Sequence, residues 1–70
     1  MRKNIFGEKL KELRLEKNLN QRQLADLVKV GKASISDWET GKSEPVLSNA
    51  ILLADFFDVS LDYLAGRKEY

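Results

Sequence analysis

Two polar clusters hold the side chains best suited to chemistry in this chain. They are Asn20-Gln21-Arg22-Gln23 and Lys32-Ala33-Ser34-Ile35-Ser36-Asp37, with Lys42 a few residues later. Amides, hydroxyls, a guanidinium and ammonium groups donate and accept hydrogen bonds and attract anions, which suits recognition of a charged surface. Bond-making chemistry finds no support. The chain has no cysteine and no histidine, so thiolate and imidazole metal ligands and the commonest general base are missing. The acids are scattered, no nucleophile has a base beside it, and no glycine-rich loop could cradle a phosphate. Neither an enzyme, a cofactor nor a metal site is expected. Seventy residues predict one domain, 1–70, and a chain this small buries only about 60% of its unfolded surface, leaving little material for a cleft.

The clusters need helices to position them, and helical periodicity supplies five, at about 4–17, 21–28, 32–40, 46–57 and 61–65. Phe6, Leu10 and Leu13 recur at core spacing behind Asn4, a candidate N-cap. Asn20 and Gln23 form a capping-box pattern that starts the second helix, whose inward face carries Leu24, Ala25 and Val28. The third helix follows Gly31, turns Ile35 and Trp38 inward and stops at Gly41, a residue suited to the left-handed end of a helix. The fourth is expected to bury Leu47, Ala50, Ile51, Ala54 and Phe57, and Ser60 to cap a short fifth helix closed by Gly66. The tail Arg67-Lys68-Glu69-Tyr70 lacks periodicity and should fray. Short helices joined by two- to five-residue loops predict an orthogonally packed all-α globule. With the third helix so placed, Lys32, Ala33, Ser34 and Asp37 remain outward. All but Asp37 are short or positive, as entry into a groove about 12 Å wide requires.

The net charge of +1 conceals an asymmetry: residues 1–35 hold nine Lys/Arg against four Asp/Glu, and residues 36–70 hold three against seven. The halves therefore carry +5 and −4. Cations gathered on one side favour a polyanion there, although solvated helix faces would produce the same count. No continuous apolar run approaches the ~20 residues of a membrane span, and the start of the chain does not read as a signal peptide. A soluble cytoplasmic protein is expected.

Taken in order, Phe6-Gly7-Glu8-Lys9-Leu10-Lys11-Glu12-Leu13-Arg14, Leu19-Asn20-Gln21, Leu24-Ala25, Ile35-Ser36-Asp37-Trp38-Glu39-Thr40-Gly41-Lys42, Pro45 and Val59-Ser60-Leu61-Asp62-Tyr63-Leu64 resemble the phage-repressor and Cro type of helix-turn-helix, the Xre family. The match extends over nearly the whole chain. It implies a compact five-helix, lambda-repressor-like DNA-binding domain whose third helix reads the major groove. It implies that Gln21 contacts a phosphate or braces the recognition helix, that Lys32, Ala33, Ser34 and Asp37 face base edges with Ser36 nearer the backbone, and that Lys42 meets a phosphate. Arg22 is a candidate second phosphate clamp. Lysine can donate to guanine O6 or N7, the alanine methyl can touch a thymine methyl, and aspartate can accept from cytosine N4. Asp37 alternatively tilts off the groove, since it repels phosphate.

The resemblance also pairs Arg14 with Glu39 as a structural tie between the first and third helices, and makes Gly7 a close-packing position. Trp38 at helical spacing is expected in the core rather than as a base-stacking platform. Three positions depart from the family pattern. Lys29 replaces a frequent turn glycine and should adopt a left-handed conformation at a cost of ~1 kcal/mol. Gly31 stands where serine or threonine commonly caps the recognition helix, and Asp58 replaces a frequent C-terminal glycine.

A domain reading four or five base pairs normally works as a symmetric dimer on half-sites one helical turn apart. The resemblance places self-association at the connection between the fourth and fifth helices, through Phe56, Val59, Leu61 and Tyr63. Leu15 and Leu27 occupy normally polar positions. The function expected is sequence-specific binding of double-stranded DNA by a transcriptional repressor acting on a palindromic operator. The competing reading is a protein-interaction module, such as an antitoxin or adaptor, that keeps the fold.

Overall fold

The computed structural model describes residues 4–67. Three of its five helices start at a side chain that takes up an amide hydrogen lacking an intrahelical partner. Asn4 accepts from the Gly7 amide at 3.1 Å and starts α1, Ile5–Glu16. Asn20 and Gln23 exchange side-chain and backbone bonds of 2.7 and 2.8 Å, the reciprocal box that starts α2, Gln21–Val28. Ser60 accepts from Tyr63 at 3.0 Å to start α5, Leu61–Leu64. The remaining two, α3 (Lys32–Thr40) and α4 (Leu47–Phe57), begin at Gly31 and Val46 without a side-chain cap. Three helices are thus slightly shorter than expected, because Asn4 and Val46 are caps and Lys17 and Ala65 already lie in closing turns.

The helix ends share one device. A residue in the left-handed region ends the helix, and the next amide reaches back five residues to a carbonyl of the last turn. Asn18, Lys29, Gly41, Asp58 and Gly66 take positive φ of 58°, 63°, 81°, 58° and 80°. Each is followed by its bond: Leu19 to Arg14 (3.2 Å), Val30 to Ala25 (3.0 Å), Lys42 to Asp37 (2.9 Å), Val59 to Ala54 (3.0 Å) and Arg67 to Asp62 (2.8 Å). Leu19, Val30 and Val59 also pack against the core. That anchoring offsets the left-handed strain at the three non-glycine residues. The backbone is still bonded at Arg67, and the rest of the tail expected to fray, Lys68-Glu69-Tyr70, lies outside the described residues.

One cluster joins all five helices: Leu10, Leu13, Leu24, Ala25, Val28, Ile35, Trp38, Leu53, Ala54, Phe57 and Leu64. Helix α3 packs on α2 and α1, α1 also touches α5, and α4 lies against α5 and α2. Principal extents of 27 × 25 × 22 Å fit orthogonal packing rather than an elongated bundle. No strand occurs among the described residues. The expected core needs one correction. Leu47 and Ile51 are 66% and 44% exposed, whereas Leu53 is buried. Apolar residues occupy most of the circumference of α4, so its inward arc is chosen by the neighbouring helices, at Ala50, Leu53, Ala54 and Phe57.

Phe56, Val59, Leu61 and Tyr63 are half-buried and packed on the core. Phe56 meets Phe57 edge-to-face at 5.0 Å, and the Lys9 ammonium covers the Tyr63 ring at 4.7 Å. The large apolar side chains that are more exposed than these four are Leu15, Leu27, Val46, Leu47, Ile51 and Leu52.

Candidate nucleic-acid interface

Helix α3 owes its orientation to a short turn and a buried stripe. Lys29 redirects the chain, Val30 fastens it back to Ala25, and Ile35, Trp38 and Glu39 bury one side of the helix. By helical geometry the opposite side presents Ala33, Asp37 and Thr40, with Ser36 adjoining them. Ala33 and Thr40 are exposed, while Ser36 and Asp37 are half-exposed. Lys32 is exposed on one flank of this stripe and Ser34 half-buried on the other. Ala33, Ser36 and Asp37 therefore share the outer side of α3, with Lys32 and Ser34 at its flanks. Lys42 is exposed just beyond Gly41, at the far end of a helix about 13 Å long, so it belongs to the rim. Arg22 is exposed in the first turn of α2.

Gln21 is half-buried, and its amide donates to Glu39 at 3.1 Å, a bracing contact onto α3. Glu39 is the hub. Arg14 grips it with two bonds, Nε to Oε2 at 2.6 Å and Nη2 to Oε1 at 3.0 Å, and spends Nη1 on the Leu19 carbonyl at 2.8 Å. The side chains are 9% and 3% exposed. A paired fork of this kind fixes direction as well as distance, so α3 cannot roll about its axis without breaking it. Gly7 lets α1 approach this end of α3: a methyl group there would lie 2.5 and 2.6 Å from the Trp38 and Glu39 carbonyl oxygens.

Among the described residues, no carboxylate pairs with Arg22, Lys32 or Lys42, leaving these cations available to an outside anion. The sequence assigns Thr40 no role and Asn4 only that of a helix cap. Thr40 shares the outer stripe and bonds back to Ser36 O at 2.9 Å. The Asn4 amide donates to Glu39 O at 2.9 Å across 35 residues, and only the cap pattern at Asn4 could have drawn attention to it.

A Helix-turn-helix family model matches residues 10–64, the span from the middle of α1 to the end of α5. The chain belongs to the Xre-type helix-turn-helix family. This Xre-type chain is similar to the transcriptional activator BcrR of Enterococcus faecalis, 42% identical over 64 residues, which cover 91% of the chain and 31% of BcrR. It is 34% identical over 65 residues to RstR, the cryptic phage CTXphi transcriptional repressor of Vibrio cholerae, covering 93% of the chain and 59% of RstR. The chain thus spans from about a third to somewhat more than half of the length of these relatives. Among solved structures it resembles the P22 c2 repressor in complex with a synthetic operator, with a TM-score of 0.85 and 30% identity, covering 91% of this chain and 97% of that one. Its fold is that of the lambda-repressor-like DNA-binding domains. The Xre-type family comprises DNA-binding transcriptional regulators, not enzymes.

Proposed function

We propose that residues 1–70 form one DNA-binding unit that recognises a palindromic operator as a dimer and acts as a repressor in the cytoplasm. The observation that carries this reading is the outer stripe of α3, locked in orientation by Arg14 and Glu39 and flanked by unpaired cations. In this reading Lys32, Ala33, Ser34 and Asp37 face base edges, and Ser36 lies nearer the backbone. Gln21, Arg22 and Lys42 meet phosphates, Gln21 doing so while braced on Glu39. No helix among the described residues is long and apolar enough to cross a membrane.

Two copies on half-sites about 34–36 Å apart give the site length that a single short helix lacks. The dimer contact runs through Phe56, Val59, Leu61 and Tyr63. Leu52, 40% exposed and one turn before Phe56 on the same side of α4, extends that surface.

Titration of duplex DNA across a salt series tests the proposal. The logarithm of affinity should fall by about 0.9 per phosphate contact for each logarithmic unit of salt. Lys42→Ala should weaken all sequences alike and reduce that slope by about one contact, whereas Lys32→Ala with Ser34→Ala should flatten sequence preference. A double variant that keeps the wild-type preference contradicts the assignment of the reading face.

A further inference from the structure

We infer that Asn4 is a positioning residue for DNA binding, a single amide shared as a cap by α1 and the recognition helix. The inference rests on the reading of α3 as the DNA-reading element. Oδ1 of Asn4 closes the first turn of α1 on the Gly7 amide, while Nδ2 donates to the Glu39 carbonyl at 2.9 Å. Carbonyls in the last turn of a helix have no intrahelical partner. That of Asp37 is taken by the amides of Gly41, Lys42 and Ser43. The Glu39 carbonyl is taken from the entrance of α1.

Two glycines shape the contact. Gly7 admits the backbone of α3, and Gly41, at φ +81°, lies against the Asn4 amide, where a Cβ would come within 3.0 Å of its Cγ and Nδ2. Glu39 is therefore held twice, by its carboxylate through Arg14 and by its carbonyl through Asn4. A side-chain tie alone leaves the last turn of α3 free to pivot. Adding a backbone tie fixes the tilt of that turn and the point from which Lys42 departs toward its phosphate.

Asn4→Ser and Asn4→Asp separate the two halves of the cap. Both retain an acceptor for the Gly7 amide. Serine is a bond too short to bridge to Glu39, and aspartate offers no donor. Each full-length variant is titrated with a duplex selected by the wild-type chain, with folding followed by helicity and by Trp38 fluorescence. Leu15→Gly, which weakens α1 at an exposed, uncharged position that neither the reading face nor the dimer contact uses, is the control for stability alone. The expected result is folded Asn4 variants with affinity reduced about fivefold and a salt slope shallower by about one phosphate contact. Leu15→Gly should match wild type in both. Agreement between the neutral and the charged variant excludes simple repulsion of DNA. Wild-type affinity and slope in folded Asn4→Ser overturn the inference, as does an equal loss in Leu15→Gly or unfolding of both Asn4 variants. Failure of the wild-type chain itself to bind any duplex overturns the DNA-reading function, and this inference with it.

Discussion

Removing the Glu39 carboxylate should cost this domain a large part of its stability, and replacing both partners of the pair should restore most of it. In Glu39→Ala, Arg14 keeps its bond to Leu19 O but loses two bonds to the carboxylate in a site where its side chain is 9% exposed. Leaving one buried charge without its partner costs about 3–5 kcal/mol. A domain of 70 residues has roughly 4–10 kcal/mol in total, so the loss takes at least about a third of it. Arg14→Met combined with Glu39→Leu removes both charges and fills the space with apolar atoms, which is near neutral or stabilising for such pairs. The assay is urea unfolding followed by Trp38, the sole tryptophan, 5% exposed in the core. With a slope of about 1 kcal/mol per molar urea, the single variant should lose about 3 M or more from its midpoint. The double variant should return to within about 1 M of wild type. A loss below about 1 kcal/mol in Glu39→Ala, the value of a solvated surface pair, would refute the reasoning. So would a double variant no better than the single ones.

Other substitutions test the helix ends and the close contact. Gly31→Ser should raise stability by a few tenths of a kcal/mol, since φ −77° and ψ 150° suit serine and a Cβ there meets nothing within 4 Å; a lower unfolding midpoint would contradict this. Lys29→Gly should relieve left-handed strain of about 1–2 kcal/mol and lose roughly half to greater unfolded-state freedom. Thermal unfolding should therefore show a net gain, and an unchanged or lower midpoint would mean that the turn is not strained. Gly7→Ala should cost about 1–3 kcal/mol by overpacking against the carbonyls of α3, and wild-type stability in that variant would show that α1 and α3 can separate freely.

Much of the architecture was legible because local signals agreed with each other. The Asn20–Gln23 box and the glycine end at Gly41 are sequence-local features, whereas the left-handed Lys29 was legible only through the family pattern, and each appears in the structure. The inward face of α4 was not legible, since Leu47 and Ile51 continue an apolar pattern that surrounds the helix, and only packing against α2 and α5 selects Leu53 over them. The apolar residues at the α4–α5 corner were legible as a group, but their degree of burial depends on the core beneath them. In the candidate site, the outer residues of α3 followed from periodicity. The Asn4 link did not, because a bond across 35 residues leaves no periodic trace. Gln21 was readable as a phosphate contact or as a brace, and its bond to Glu39 supplies the brace.

The central claim is that the outer stripe of α3 reads base edges as one half of a symmetric pair, and selection of bound sequences from a random duplex pool at two salt concentrations tests it most directly. Two inverted half-sites with centres about 10 base pairs apart should be enriched, more sharply at the higher salt, and altered at the positions facing residues 32 and 34 when Lys32→Ala/Ser34→Ala is used. A pool that stays random, or the same palindrome recovered by that double variant, would contradict it.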